Sequence, residues 1–465
     1  MKKQMIILAV AVLTLSSCGI YNKYKPATTV PEQLFGAEVS AVDSTRNIST
    51  LGWREFFTDP QLQVLIEQGL QNNTDLQSAY WRVEEARASL KAARLAYLPS
   101  FALAPQGTVS SFDKGKAAQV YSLPVTAAWE IDIFGRLTNA KRRAKALYAQ
   151  SQEYELAVKT QLIVNVANAY YTLLMLDAQL EISKETEVKW KESVRAMKAL
   201  KNAGQGNEAG LAQTEATYYS ICTTVLDLKE QINQVENSLR LMLGDVSQAI
   251  SRGRLEGQNI PQDLSVGIPL QILANRPDVK AAELALAQAF YSTNEARSAF
   301  YPSITLSGSA GWTNSLGEAA LNPGKLLASA VGSLTQPLFS RGQNMARLKI
   351  AKAQQEEAKL AFTQTLLNAG VEVNDAIKQN QIACEKAGLF DRQITSLEIA
   401  VSSTSLLMQH GSYTYLEVLT AQQTLLTARL SQVSNRFQQI QGVINLYQAL
   451  GGGTEIATRQ HLVLR

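Results

Sequence analysis

The sequence predicts an α+β fold in which one chain carries the same structural unit twice, each with a β-hairpin and very long helices. Three observations lead to this prediction: an internal repeat, alternating segments that each follow a proline, and two long stretches nearly free of Gly and Pro. The chain has 465 residues, 46% of them hydrophobic, which is enough for a large core. Its net charge of +4 gives no sign of nucleic-acid binding.

The repeat appears when the sequence is shifted against itself, first by 203 residues and then by 207. The matching pairs are Asp75 with Asp278, Pro99-Ser100 with Pro302-Ser303, Gly135 with Gly342, Gly204 with Gly411, and Leu243-Gly244 with Leu450-Gly451. We therefore divide the chain into an N-terminal segment 18–74, a first repeat 75–244, a linker 245–277, a second repeat 278–451 and a tail 452–465.

Each repeat is predicted to contain a helix that ends at a proline, two strands, a long helix and a return helix. In the first repeat the strands span about 100–112 and 118–131, and the helices 136–203 and 211–243. In the second repeat the strands span about 303–314 and 326–338, and the helices 343–410 and 413–450. Apolar and polar residues alternate along the strands, although small residues leave the outward face of the fourth strand open.

The first 18 residues predict the compartment. Lysines precede a short apolar run, Met5–Leu15, and Leu-Ser-Ser-Cys ends at Cys18. This pattern resembles a bacterial lipoprotein signal, which implies removal of residues 1–17 and a lipid on the Cys18 sulfur. The alternative is an ordinary secretory signal that happens to end near a cysteine. No later apolar run is long enough for a transmembrane helix, so strands are the expected way to cross a membrane.

Four strands are too few to close a barrel, and open strand edges are not stable in lipid. Several chains must therefore share one barrel, and strand counting alone allows two, three or four. At 1.5 Å per residue, the helix predicted over 136–203 is roughly 100 Å long. Each hairpin returns the chain to the side that it left, so all long helices lie on one side of the membrane. The lipid anchor places that side in the periplasm.

Motifs along nearly the whole mature chain resemble the TolC-like outer-membrane efflux family, in its lipoprotein branch. They are Trp53-x-x-Phe56-x-x-Asp59-Pro60, Asn72-Asn73-x-Asp75-Leu76, Ile260-Pro261, Asn275-Arg276-Pro277-Asp278-Val279, Phe300-Tyr301-Pro302-Ser303, Pro337-Leu338-Phe339, the segment 411–422 and Leu450-Gly451-Gly452-Gly453. The resemblance implies a homotrimer with a twelve-stranded transmembrane β-barrel, a long periplasmic α-helical barrel, and an equatorial belt that includes 18–74 and 245–277.

The resemblance also implies a function: a passive outer-membrane exit duct of a tripartite efflux pump of the resistance-nodulation-division type. The expected cargo is drugs or other small toxic compounds. The expected partners are a periplasmic adaptor, an inner-membrane transporter and outer-membrane lipid. Metal-ion efflux and type I protein secretion are the alternatives in the same class. A lipid-anchored coiled-coil scaffold and an envelope enzyme are the alternatives in other classes.

Two groups of residues are predicted to act in the duct. The residues expected at the periplasmic gate are Leu416, Glu417 and Thr420, and those expected at the adaptor-contacting tips are Gly204, Gln205, Gly411 and Ser412. Thr420 and Gly210 depart from the acidic residues that family members often carry, which weakens the expectation of a charged lock. Simple helix termination also explains the glycines, and a solvated carboxylate also explains Glu417.

No catalytic or metal site is predicted, and the only expected covalent group is the lipid on Cys18. His410 and His461 are far apart in sequence, and Cys222 and Cys384 lie in helical patterns where packing is the simpler role. Aromatic residues near the strand ends are candidates for membrane-interface girdles or for core packing; they are Trp129, Phe134, Phe300, Tyr301, Trp312 and Phe339.

Overall fold

The computed structural model describes most of the chain between residues 51 and 454. The described residues are 24–25, 51–111, 113, 115–247, 249–258, 276–313, 325–409 and 415–454. Cys18 and the signal, most of the linker, the turn with Gly411 and Ser412, and both histidines lie outside them.

Two short N-terminal helices precede the first repeat. The helices are α1 (Trp53–Phe56), α2 (Pro60–Asn72), α3 (Thr74–Leu95), α4 (Arg136–Asn202) and α5 (Glu208–Leu243), and the strands are β1 (Ser100–Leu103), β2 (Gln106–Ser110) and β3 (Ala118–Ile131). Helix α3 ends at Leu95, shortly before Pro99. Leu98 directly precedes this proline, and a residue in that position disfavours helical backbone. A short 3₁₀ turn, Leu255–Gly257, lies in the linker.

The second repeat has the same succession of elements. It contains α6 (Pro277–Ser298), β4 (Ser303–Thr313), β5 (Lys325–Thr335), α7 (Gln343–Gln409) and α8 (Tyr415–Ala449). Helices α4 and α7 each have 67 residues, against a mean of about 11 to 12 residues in globular proteins. None of the described helices is both long and apolar enough to cross a membrane.

The strands form one antiparallel sheet in the order β1–β3–β4–β5, with β2 also paired to β3. Leu103 pairs with Val125 and Gln106 with Ser122, so β1 and β2 keep a single register along β3. The interruption falls at Pro105, which has no amide hydrogen to donate to the ladder. The strand that the sequence predicts over 100–112 is thus one strand with a local break.

The pairing of β5 with β4 shows which side chains of β5 lie on the apolar face of β4. The sequence alone left this question open. Leu334 pairs with Ile304 and Ala330 with Gly308, and directly paired residues lie on the same face of a sheet. These residues therefore share the apolar face of β4. The opposite face is more polar, and there Ser309 and Ser329 share a hydrogen bond of 2.8 Å.

The chain forms two compact units, and their boundaries fall within α3, α4, α6 and α7. One unit contains the sheet together with residues 81–153 and 280–365. The other contains residues 30–80, 154–279 and 366–465, and its core is built mainly from α1, α2, α4, α5 and α8.

Aromatic rings lie at the centre of the second unit's core. Phe56 stacks on Tyr447 at a centroid distance of 4.0 Å, and the Tyr447 hydroxyl donates to the Leu51 carbonyl at 2.9 Å. A side chain at Gly452 would overlap the Tyr447 ring. Glycine at position 452 is therefore needed for the Tyr447 ring to lie here.

Equivalent glycines in the two repeats have the same unusual backbone. Gly135 and Gly342 precede the long helices with φ of 67° and 77°, and Gly244 and Gly451 follow the return helices with φ of 71° and 80°. Positive φ favours glycine because it has no Cβ. The two pairs have the 207-residue offset of the sequence repeat.

A second pair of equivalent contacts ties each repeat's first helix to its last. Asn73 Nδ2 donates to the Met242 carbonyl at 3.1 Å, and Arg276 Nη1 donates to the Ala449 carbonyl at 3.0 Å. Arg276 also donates to both oxygens of Asp278, at 3.0 and 2.8 Å. Burial raises the pKa of Asp278, but the hydrogen bonds and charge of Arg276 outweigh it and hold this pKa below its usual value.

Candidate functional site

The turn between α4 and α5 contains two of the predicted tip residues, Gly204 and Gln205. Gly204 has φ +76°, its amide donates to the Lys201 carbonyl at 3.0 Å, and the Gln205 amide donates to the Leu200 carbonyl at 2.9 Å. This geometry terminates a helix with a left-handed glycine. An ion pair between Lys201 and Glu208 closes the turn.

Gly210 lies inside α5, which begins at Glu208 rather than at Leu211. The start is earlier because the Asn207 side chain caps the helix by accepting from the Gly210 amide at 2.7 Å. A Cβ at Gly210 would lie 2.9 Å from Met197 Cε. This atom is the far end of a flexible side chain, so a larger residue at position 210 requires only that Met197 shifts.

The three predicted gate residues lie in the first turns of α8 and are all exposed. The Leu416 residue is 56% exposed in the single chain. The Thr420 hydroxyl donates to the Leu416 carbonyl at 2.9 Å, so Thr420 satisfies its own hydrogen bond within the helix. Val418 and Leu419 are buried, so α8 packs through these residues and leaves the predicted gate residues uncovered.

Helix α8 is held in place by an aromatic cluster that sequence reasoning did not find. Trp190 of α4, Ile221 of α5 and Leu419 of α8 form its buried centre, and Tyr218 and Tyr415 pack against it. Trp190 is 1% exposed, although it lies in a strongly charged segment of α4. A single tryptophan within a charged segment is the sequence feature that could have indicated this buried cluster. Burial raises the pKa of Tyr415, despite a hydrogen bond with Ser193 that lowers it.

The two tips differ in charge at equivalent positions. Residues 399–416 contain no Asp, Glu, Lys or Arg, whereas residues 192–209 contain Glu192, Arg195, Lys198, Lys201 and Glu208. The first tip is therefore rich in charged residues, whereas the sequence of the second consists of uncharged residues, many of them apolar or hydroxyl-bearing.

A charged network fixes the linker to the helices. Arg252 donates to Asp177 at 2.5 and 3.0 Å and to Glu236 at 2.5 Å. The hydrogen bond with Asp177 raises the pKa of Arg252 more than burial lowers it. Nearby, the Tyr170 hydroxyl donates to Asp59 at 2.6 Å. The Gly253 amide donates to the Tyr170 hydroxyl at 3.1 Å and Gln258 Nε2 donates to Asp59 at 2.8 Å, so residues 252–258 are attached to α4, to α5 and to the N-cap of α2.

The cysteines have different surroundings. Cys222 is half-buried and its Sγ lies 3.7 Å from Glu187. Cys384 is exposed, so the packing role predicted for it is wrong. The neighbouring Ala383 occupies the packed position instead, and its carbonyl accepts from Asn435 at 2.9 Å. Among the described residues, no group of three or more His, Cys, Asp or Glu side chains is placed to hold a metal ion.

Comparison with known proteins gives consistent matches over nearly the whole chain. Residues 65–245 and 268–452 match the family "Outer membrane efflux protein". "Cation efflux system protein CusC" of Escherichia coli strain K12 is 31% identical over 449 residues, which are 95% of this chain and 97% of that protein. "Probable outer membrane lipoprotein SilC" of Salmonella typhimurium is 28% identical and covers 92% and 94% of the two chains. "Toluene efflux pump outer membrane protein TtgC" of Pseudomonas putida is 26% identical and covers 97% and 96%.

Solved structures agree with these matches. The crystal structure of CusC has a TM-score of 0.83 and 30% identity, covering 94% of this chain and 100% of that chain. The outer-membrane channel OprN has a TM-score of 0.85 and 25% identity, covering 94% and 100%. These likenesses confirm the predicted fold class, in which a few strands are joined to very long helices.

Proposed function

Because this chain belongs to the outer membrane efflux protein family, we propose that it is the passive exit duct of a tripartite pump of the resistance-nodulation-division type. It is an outer membrane efflux channel and not an enzyme. The observation that carries the proposal is the sheet of four strand positions with two unpaired edges, which leads into helices of 67 residues. Such a sheet needs other copies to close a barrel in lipid.

Three copies form the proposed duct. One chain supplies the edges β1 and β5, and their amides need partners in lipid. Three chains supply twelve strands, within the range of bacterial barrels of 8 to 26 strands.

Chemical cross-linking in membranes is expected to stop at three subunits, with no membrane-inserted monomer. The reason is that an open four-stranded sheet leaves its edge amides unsatisfied in lipid. The measurement is the ladder of bands after cross-linking. A ladder that ends at two or four would contradict the trimer, while the argument for a shared barrel would stand.

The proposed cargo is small toxic compounds, selected by the pump. The relative named as a toluene efflux pump protein supports export of organic compounds. A second candidate is export of metal cations, because the relative named as a cation efflux protein is more similar, at 31% identity.

Deletion and complementation test the duct and separate the two cargoes. Cells lacking the protein are expected to become sensitive to the compounds of one class, and plasmid copies are expected to restore resistance. Growth is measured in metal salts, in organic solvents and in bulky antibiotics. No change in any of the three would contradict a role in efflux.

The proposed partners are a periplasmic adaptor at the helix tips and an inner-membrane transporter that supplies energy. Gly204 and Gln205 lie at a turn crossed by the Lys201–Glu208 ion pair, and the proposal extends to Gly411 and Ser412 at the equivalent turn. The charge difference between the two tips supports distinct contacts for each, with polar groups of the adaptor facing the first.

Cys18 is the proposed lipid site, and the relative named as a probable outer membrane lipoprotein supports it. The mature protein is expected to begin with an acylated Cys18, because Leu-Ser-Ser precedes it. Mass spectrometry of the tryptic peptide 18–23 measures this directly. A free amino terminus at another residue would contradict the proposal. Cys18→Ala should remove the lipid yet leave some assembled protein, since strands also hold the membrane.

A further inference from the structure

Leu338 and Phe339 are the most exposed large apolar side chains among the described residues. Their exposed fractions are 92% and 85%. They directly follow Gln336 and Pro337, at the C-terminal end of the edge strand β5. Adjacent apolar side chains with this exposure mark an interaction surface.

A second apolar group lies at the opposite edge of the same sheet. Leu95 ends α3, Leu98 lies in the turn that follows, and Phe101 lies in β1; they are 52%, 61% and 71% exposed. This group is located at the N-terminal end of the edge strand β1.

Strand directions decide which ends meet when copies join. Each neighbouring pair in the order β1–β3–β4–β5 is antiparallel, so β5 runs opposite to β1. When β5 of one copy continues the antiparallel pattern with β1 of the next, the end of β5 meets the start of β1. Leu338 and Phe339 then arrive beside the next copy's Leu95, Leu98 and Phe101.

We propose that these two groups form an apolar clasp between copies: Leu338 and Phe339 of one chain pack on Leu95, Leu98 and Phe101 of the next. The inference rests on the proposed shared barrel and names its contact surface at the periplasmic end of the sheet. The interface is head-to-tail, because each copy contributes a different group to each contact. A two-fold interface would bring β5 against β5 and leave both β1 edges unpaired in lipid.

Disulfide trapping tests the clasp in the full chain with Cys222 and Cys384 replaced by serine. The test variant carries Leu98→Cys and Phe339→Cys. Within one copy, β1 and β5 are three strand spacings apart, about 14 Å, whereas a disulfide needs Cα atoms within about 7 Å. A disulfide must therefore join two copies, and oxidation in membranes is expected to give covalent dimers and trimers.

Two matched controls use the same background. Leu98→Cys with Ala328→Cys moves one thiol from beyond the end of β5 to a position about 23 Å inside that end, so no cross-link is expected. Phe339→Cys alone is expected to stay monomeric on non-reducing gels. A covalent dimer of this single variant would show β5 against β5 and overturn the clasp.

Channel measurements on the same variants separate the clasp from the duct itself. If the variants form conducting trimers but neither Phe339→Cys nor Leu338→Cys cross-links to Leu98→Cys, the clasp is overturned and the duct stands. If no oligomer and no conductance appear even for the parent chain, the proposed duct fails, and the clasp with it. Leu338→Ser with Phe339→Ser should lower the temperature at which trimers dissociate in detergent, and an unchanged temperature would also contradict the clasp.

Discussion

Replacing Leu416 by alanine is expected to raise single-channel conductance severalfold in planar bilayers and to sensitise cells to bulky antibiotics. We propose that the duct narrows at this residue, where three copies of an apolar side chain exclude water and ions. Leu416 is 56% exposed in one chain, so its truncation removes little packing within that chain. The expected effect is therefore on the pore and not on folding.

Three further variants make this test specific. Leu389→Ala removes an exposed leucine from α7 and is expected to leave conductance unchanged. Glu417→Gln is expected mainly to reduce cation preference, because a carboxylate ring filters by sign. Thr420→Ala should do little, since its hydroxyl bonds within its own helix. An unchanged conductance for Leu416→Ala with a raised one for Thr420→Ala would move the constriction one turn along α8.

The sequence carried most of the information on strands and helices. Alternation and proline positions place β4 and the two long helices to within a residue or two, because both features act locally. The face of β5 did not follow from the sequence, since alanine, glycine and serine have no strong preference for either face. It required the pairing of Leu334 with Ile304.

Contacts between distant residues explain what the sequence did not predict. Trp190 meets Leu419 across more than 200 positions, and nothing in the charged surroundings of Trp190 names that partner. Arg252 and Asp177 are 75 positions apart, and the sequence around Arg252 does not identify Asp177 as its partner either. Cys384 lies in a helix as predicted, but the adjacent residue Ala383 is the one that is buried in this turn of α7. Periodicity identifies a helix and its buried stripe only to within about one residue.

Replacing Arg276 by methionine is expected to destabilise the protein by about 2 to 4 kcal/mol per chain. Arg276 is 6% exposed, donates to Glu372 at 2.6 Å, and joins Asp278 to the Ala449 carbonyl at the end of α8. Removing the guanidinium leaves the Asp278 carboxylate partly buried without its cation. Thermal loss of helical signal in detergent measures the effect. Lys359→Met, which breaks an exposed pair with Glu356, serves as the control and should change little.

The pH dependence provides the second part of this test. In the parent protein the pKa of Asp278 is below its usual value, so its stabilising effect is present at neutral pH and disappears as pH falls through that lowered pKa. In Arg276→Met, burial still raises the pKa of Asp278 and only backbone hydrogen bonds, such as the one from the Val279 amide, still lower it. This pKa should therefore rise above that in the parent, and protonation at low pH should relieve part of the loss. The stability difference between the two proteins is therefore expected to shrink between about pH 6 and pH 3. Adding Asp278→Asn to Arg276→Met should recover part of the stability at neutral pH, because the partly buried carboxylate is then gone, and the Glu372 carboxylate that also loses Arg276 is 54% exposed to solvent. Equal melting temperatures for Arg276→Met and Lys359→Met at neutral pH would show that this buried network does not stabilise the fold.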